Sequence, residues 1–170
     1  MSEKEQILAF LLENNIPHKV YEHEICNTIE EKAALDEKLG ITARHCKNLF
    51  LTDRKKEHFY LLVMPFEKTF RTAEVSRELH SSRLSFASDD MLWEKVRCRS
   101  GSLSTLCLIF DKEEEIGLAI DADLLSCTAL CFHPADNKTT VVISTSDCLN
   151  MLFPRLHKKP SFVTVTCPTA

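Results

Sequence analysis

Glycine is scarce in this chain: only Gly40, Gly101 and Gly117 occur among 170 residues. A dinucleotide fingerprint and a phosphate-binding P-loop both need clustered glycines where backbone approaches phosphate, so neither can be written here. The Gly-x-Ser-x-Gly nucleophile elbow is excluded on the same ground. Also missing is any apolar run near the roughly 18 to 20 residues that a membrane-spanning helix requires. The chain opens Met1-Ser2-Glu3-Lys4-Glu5, which carries no apolar leader pattern. The expectation is a soluble, cytoplasmic protein with no membrane partner. Excess positive charge is absent too, since 21 Lys and Arg against 25 Asp and Glu leave a formal net charge of −4. A broad electrostatic grip on nucleic acid is thereby disfavoured, because non-specific affinity comes from cations neutralising phosphates. No DNA partner is expected, and any RNA contact should be local. Arg54-Lys55-Lys56, Arg97 with Arg99, and Arg155 with His157, Lys158 and Lys159 are candidate patches, each with a plainer reading as solvated surface.

Apolar content is ample: 44% of the residues are hydrophobic, enough for one well-buried core and short for two. Eight cysteines stand at positions 26, 46, 98, 107, 127, 131, 148 and 167, scattered rather than clustered as in a small secreted scaffold. They read as reduced packing residues.

Ser2 with Glu5 forms a capping-box pattern ahead of Ile7, Leu8, Leu11 and Leu12 at helical spacing. After Pro17, His18 to Tyr21 reads as extended, and Thr28 with Glu31 opens a second helix that Gly40 stops. Lys47 to Thr52 and His58 to Met64 flank a charged turn and predict an antiparallel hairpin. Helices are predicted over Thr72 to Leu79 and from a Ser88 cap to Lys95, with a short strand at Arg83 to Phe86 between them. Strands are predicted at Leu106 to Phe110, Ile116 to Ile120, Ala129 to Phe132 and Thr139 to Ile143, before a final helix begun by Ser144 or Thr145. Helices interleaved with hairpins and longer crossings imply an α/β single domain with a mixed β-sheet flanked by helices. The domain is read as residues 1–153, followed by a basic, loose tail over 154–170.

His23-Glu24 begins a zincin-like pattern, but Asn27 holds the place of the second histidine. Cys127, Cys131 and His133 are the ligand types zinc favours, yet no matching pair supplies the other half of a site. What remains is a set without metal, cofactor or evident covalent nucleophile: His45, Lys47, Gly101 with its serine-rich neighbours, His133 and Asn137. Lys47 heads the apolar run Leu49-Phe50-Leu51, so its ammonium either reaches solvent or serves a site. Gly101 is either a flexible-loop residue or a point where backbone N–H groups approach a developing oxyanion. His133 is either a satisfied core histidine or a ligand for a substrate hydroxyl.

Taken in order, Tyr21-Glu22-His23 with Thr28 and Glu30-Glu31, then His45 and Lys47 to Leu51, form the first half of a recognisable series. Arg83 to Ala87, Gly101 to Ser104, and Phe132-His133-Pro134 with Asn137 and Thr140-Val141 form the second. Together they resemble the free-standing prolyl-tRNA editing family, aminoacyl-tRNA deacylases of the YbaK-type fold, over nearly the whole domain. The resemblance implies hydrolysis of the ester joining a wrong amino acid to tRNA(Pro), in trans to prolyl-tRNA synthetase, with alanyl-tRNA(Pro) as substrate of one branch. The same fold serves cysteinyl- and seryl-tRNA deacylases, and a non-catalytic tRNA- or synthetase-binding module is the reading from another class. Lys47, Gly101 and His133 are carried over as catalytic, and His45, Asn48, Ser102, Ser104, Thr105 and Asn137 as substrate-binding. No metal or cofactor is implied. Thr105 stands where the family usually has proline, and Cys107 where it has glycine. Thr105 is therefore expected on the wall of the acyl pocket.

Overall fold

Side-chain caps set the helix starts in the computed structural model, which describes residues 1–166. Ser2 accepts from the Glu5 N–H at the head of α1 (Glu3–Glu13), and Thr28 and Glu31 close a reciprocal capping box on α2 (Ile29–Leu39). Gly40 then ends α2 in the left-handed region at φ 70°. α3 (Thr72–Glu78) follows, and Ser88 accepts from the Met91 N–H to open α4 (Asp89–Val96).

The strands are β1 (Lys19–Glu22), β2 (Cys46–Thr52), β3 (Phe59–Pro65), β4 (Ser85–Phe86), β5 (Ile116–Asp121), β6 (Ala129–Phe132), β7 (Thr139–Ser144) and β8 (Ser161–Val163). Five of them form a mixed sheet in the order β4-β2-β3-β5-β8, antiparallel around β2 and parallel from β3 to β8. The other three form an antiparallel sheet, β1-β7-β6. β3 is buried on both faces. Leu61 and Val63 join the main core with Ile7 of α1 and Val96 of α4, while Leu62 and Met64 pack on the far face with Val75 of α3. An unbroken apolar run is what a strand covered on both sides requires.

Three expectations need correction. Leu106 to Phe110 is not a strand but part of a 3₁₀ helix, Thr105–Phe110, capped by Ser104 accepting from the Leu106 N–H. A short run that is apolar throughout has no periodicity to separate strand from helix. The basic stretch after Phe153 is not loose either. Lys158 is buried against Asp111 at 2.6 Å and the Ile116 carbonyl at 2.7 Å, and β8 then extends the main sheet beside β5. A count of charges does not reveal such pairing. Finally, Cys98 and Cys107 are disulfide-bonded, both buried, whereas Cys26, Cys46, Cys127, Cys131 and Cys148 are free. Cys167 lies outside the described residues.

The final helix begins at Thr145 as predicted, but its middle, Cys148–Leu152, is a π turn between α5 (Thr145–Asp147) and α6 (Phe153–Arg155). Pro154 has no N–H to donate and its ring crowds the carbonyl four residues earlier, which the wider turn accommodates.

Candidate active site

β3 pairs along the whole of β2, from Cys46 opposite Pro65 to Thr52 opposite Phe59, but β4 reaches only Leu51 and Thr52. Cys46, Lys47 and Asn48 are therefore left unpaired by β4 on that edge. Immediately before them, Arg44 stitches the two sheets together: its N–H donates to the Ala129 carbonyl at 2.8 Å and its carbonyl accepts from Cys131 at 2.9 Å. This bridge brings the start of β2 beside the end of β6, after which His133 follows. A cavity of about 230 Å³ opens at the junction. It is lined by Lys47, Asn48, Gly101, His133 and Asn137 of the predicted set, and by Ile25, Cys26, Asn27, Lys32, Cys46, Phe66 and Leu103.

Two lysines and no carboxylate line this cavity, in a chain whose net charge is −4. Lys47 has its pKa lowered by burial, with no acid to offset the desolvation. Lys32 donates to the Cys26 carbonyl at 3.3 Å and stands over the Phe66 ring at 4.9 Å. Asn48 Oδ1 is buried and accepts no hydrogen bond, a state that costs about 1–3 kcal/mol until a donor arrives.

Burial also lowers the pKa of His133 and outweighs its hydrogen bond to Thr139. With Nδ1–H donating to the Thr139 carbonyl at 2.8 Å, the neutral ring presents Nε2 as an acceptor. Gly101 sits in the turn Arg99 to Ser102, where the Ser102 N–H donates to the Arg99 carbonyl at 3.1 Å and Gly101 adopts φ 93°. That conformation belongs to the third position of a type II turn and demands glycine there. The Ser102 N–H is used by the turn, which leaves the Gly101 N–H outside it.

The remaining predicted residues lie around the cavity rather than on its wall. The Ser102 hydroxyl also donates to the Arg99 carbonyl, at 3.1 Å. Ser104, fully buried, donates to the His133 carbonyl and so ties the Gly101 loop to the end of β6. Thr105 is likewise fully buried, its hydroxyl without a partner, and it is not among the lining residues. The expectation that it walls the acyl pocket does not match this placement, because entry into the 3₁₀ helix turns it into the core. His45 faces a neighbouring cavity and donates from Nε2 to Asp36 at 2.7 Å. That cavity shares Lys32 and Phe66 with the first.

Lys32, Phe66 and Leu103 were not signalled as site residues by the sequence. The one available hint was the Thr28–Glu31 capping box, which places Lys32 one residue later on a helix whose start is firmly set. Among the described residues, no group of three or more His, Cys, Asp or Glu side chains is placed to hold a metal. No helix among them is long and apolar enough to cross a membrane.

The model of the aminoacyl-tRNA editing domain matches residues 23–151, a span that contains every residue lining the cavity. The chain belongs to the aminoacyl-tRNA editing family. Its class is accordingly that of the ester-cleaving aminoacyl-tRNA deacylases. Similar proteins include the prolyl-tRNA editing protein ProX of Acetoanaerobium sticklandii, 32% identical over 147 residues, which cover 86% of this chain and 88% of that one. Another is the prolyl-tRNA synthetase associated domain-containing protein 1 of Danio rerio, 31% identical, covering 91% of this chain and 83% of the relative. A crystal structure described as a candidate trans-editing enzyme for prolyl tRNA synthetase superposes with a TM-score of 0.73 at 13% identity, covering 98% of this chain and 99% of that one. At that identity the likeness shows the fold, a single domain built on a mixed sheet.

Proposed function

We propose that this member of the family edits tRNA(Pro) in trans to prolyl-tRNA synthetase, hydrolysing alanyl-tRNA(Pro) to free alanine and tRNA. The observation that carries the reading is the acid-free cavity of about 230 Å³ in which Lys47, Asn48, Gly101 and His133 converge. Water adds to the ester carbonyl carbon, the carbonyl oxygen becomes an oxyanion, and the bond to the ribose oxygen breaks as that oxygen takes up a proton. Lys47, desolvated and without a carboxylate, meets the developing negative charge as an ammonium, with the Gly101 N–H as a second donor. Asn48 Oδ1 accepts from the substrate's α-amino group, which supplies the donor it lacks. His133 Nε2 accepts from a ribose hydroxyl or the attacking water, and Asn137 completes that rim. Because the ester is already reactive, orientation and charge stabilisation suffice without a covalent intermediate.

Acyl selectivity is assigned to the cavity wall, where Phe66, Leu103 and Ile25 form the apolar part that receives the side chain of the amino acid. The reading is tested by charging tRNA(Pro) separately with alanine, cysteine, serine and proline and measuring deacylation of each. Alanine should be released fastest and proline spared. Preference for cysteine or serine would reassign the acyl group, and no turnover of any of the four would reduce the protein to a binding module.

A further inference from the structure

Arg97 and Arg99 leave the protein immediately before the Gly101 turn, on either side of Cys98. Cys98 points inward to its disulfide partner Cys107, while both arginines are exposed. Their guanidinium carbons stand 5.9 and 4.9 Å from the ring centre of Trp93, itself 36% exposed on α4. A guanidinium held on an aromatic face is pre-organised, and its N–H edge is left for an incoming acceptor. Arg97 and Arg99 take part in no ion pair among the described residues. Arg99 supplies the carbonyl that closes the turn containing Gly101, a residue of the cavity wall, so the arginine pair is continuous along the chain with that wall.

We infer that Trp93, Arg97 and Arg99 form an RNA-backbone clamp at the mouth of the cavity, binding phosphodiesters of the acceptor end of the tRNA whose terminal ester enters it. This rests on the proposed reading of the cavity. An anionic strand fits because two unpaired cations lie beside an acid-free cavity on an otherwise acidic protein, giving the local grip that the net charge denies to the surface as a whole. Guanidinium forks suit phosphate oxygens better than point charges do.

Trp93 is the only tryptophan of the chain, so its emission reports on this patch alone among the indoles. Titration of uncharged tRNA(Pro) should change that emission, and anisotropy of end-labelled tRNA should give the same affinity. In the Arg97→Gln/Arg99→Gln double variant, affinity should fall about tenfold or more, and the slope of log affinity on log salt should shrink by about 1.5, from roughly 0.7–0.9 per phosphate contact. The loss of kcat/KM on alanyl-tRNA(Pro) should exceed that on alanyl-adenosine by the same factor. The Arg97→Lys/Arg99→Lys variant should recover much of the salt slope, which a merely structural role would not predict. Unchanged tRNA affinity and slope in the folded Gln variant would overturn the clamp, as would equal losses on the two esters. A patch serving an acidic protein surface would give the first of these results. If the wild type binds tRNA through the patch yet hydrolyses neither ester, the clamp stands and the proposed catalysis falls.

Discussion

Lys68 and Lys47 are both withdrawn from solvent near the five-stranded sheet, in opposite company. Lys68 follows β3 and is only 5% exposed, its ammonium donating to Asp121 at 2.9 Å, Asp123 at 2.7 Å and the Val165 carbonyl at 2.7 Å. Burial opposes its charge, but hydrogen bonds to Asp123 and Asp121 outweigh that, and its pKa is raised. Lys47 is the second residue of the neighbouring strand β2, faces a cavity without carboxylates and has its pKa lowered by the same desolvation. One lysine secures the segment after β8 to the sheet. The other has no carboxylate to offset its burial, which is the setting expected of a lysine that meets substrate charge.

The contrast is broken most directly at Lys47. Lys47→Ala should lower kcat/KM on alanyl-tRNA(Pro) by about 10²–10³-fold, or about 3–4 kcal/mol in transition-state stabilisation. Its denaturation midpoint should match or exceed that of the wild type. Near-normal turnover by the folded variant would remove Lys47 from the mechanism.

Lys68→Met should do the reverse, destabilising the protein by about 3 kcal/mol because Asp121 is left buried and uncompensated, with kcat on the remaining folded fraction close to normal. Urea titration of both variants measures this. The sign with pH also differs. Because the Lys68 pKa is raised, its contribution is complete below the ordinary lysine value of 10.5 and disappears as pH climbs through the folded value. For Lys47 the lowered pKa means that the penalty on the charged form holds at neutral pH and is relieved as pH rises toward 10.5. The stability gap between Lys68→Met and wild type should therefore narrow above that pH.

His133 sharpens the comparison from the acid side. Its lowered pKa keeps Nε2 free at neutral pH, so turnover should stay level down to the ordinary histidine value of 6.5 and fall below it, by up to tenfold per pH unit once the folded pKa is passed. Stability falls in the same direction, since the unfolded chain takes up the proton first. A pH–rate profile indifferent to His133→Gln would show that another group sets the limb.

The smallest effect is expected at Thr105, whose buried hydroxyl has no partner. Thr105→Val should stabilise the protein by about 1 kcal/mol, by removing an unpaired buried polar group. The ratio of alanyl to seryl deacylation should be unchanged, because the side chain lies in the core rather than on the cavity wall. A shifted ratio would put Thr105 back among the specificity residues.

Local chemistry explains why some features were legible before any coordinates. Thr28, Glu31 and Gly40 carry the start and stop of α2 within a dozen residues, and the β2–β3 hairpin is written in two apolar strands around one charged turn. Lys47, Gly101 and His133 were visible as chemistry without geometry. Ser104 is assigned to substrate binding by the resemblance, and in the structure its hydroxyl donates to the His133 carbonyl. The resemblance assigns His45 to substrate binding beside Lys47, and the Arg44 bridge and the Asp36 carboxylate hold it at the adjoining cavity.

The sequence by itself determined the helix caps, the hairpin and the absence of nucleotide-binding loops, since each depends on backbone preferences over a few neighbours. Only the tertiary structure decided that β8 completes the main sheet, that Cys98 meets Cys107, and that Lys32 and Phe66 share a cavity with Lys47. Those outcomes depend on which distant side chains compete for the same buried space and charge, and no local pattern carries that information.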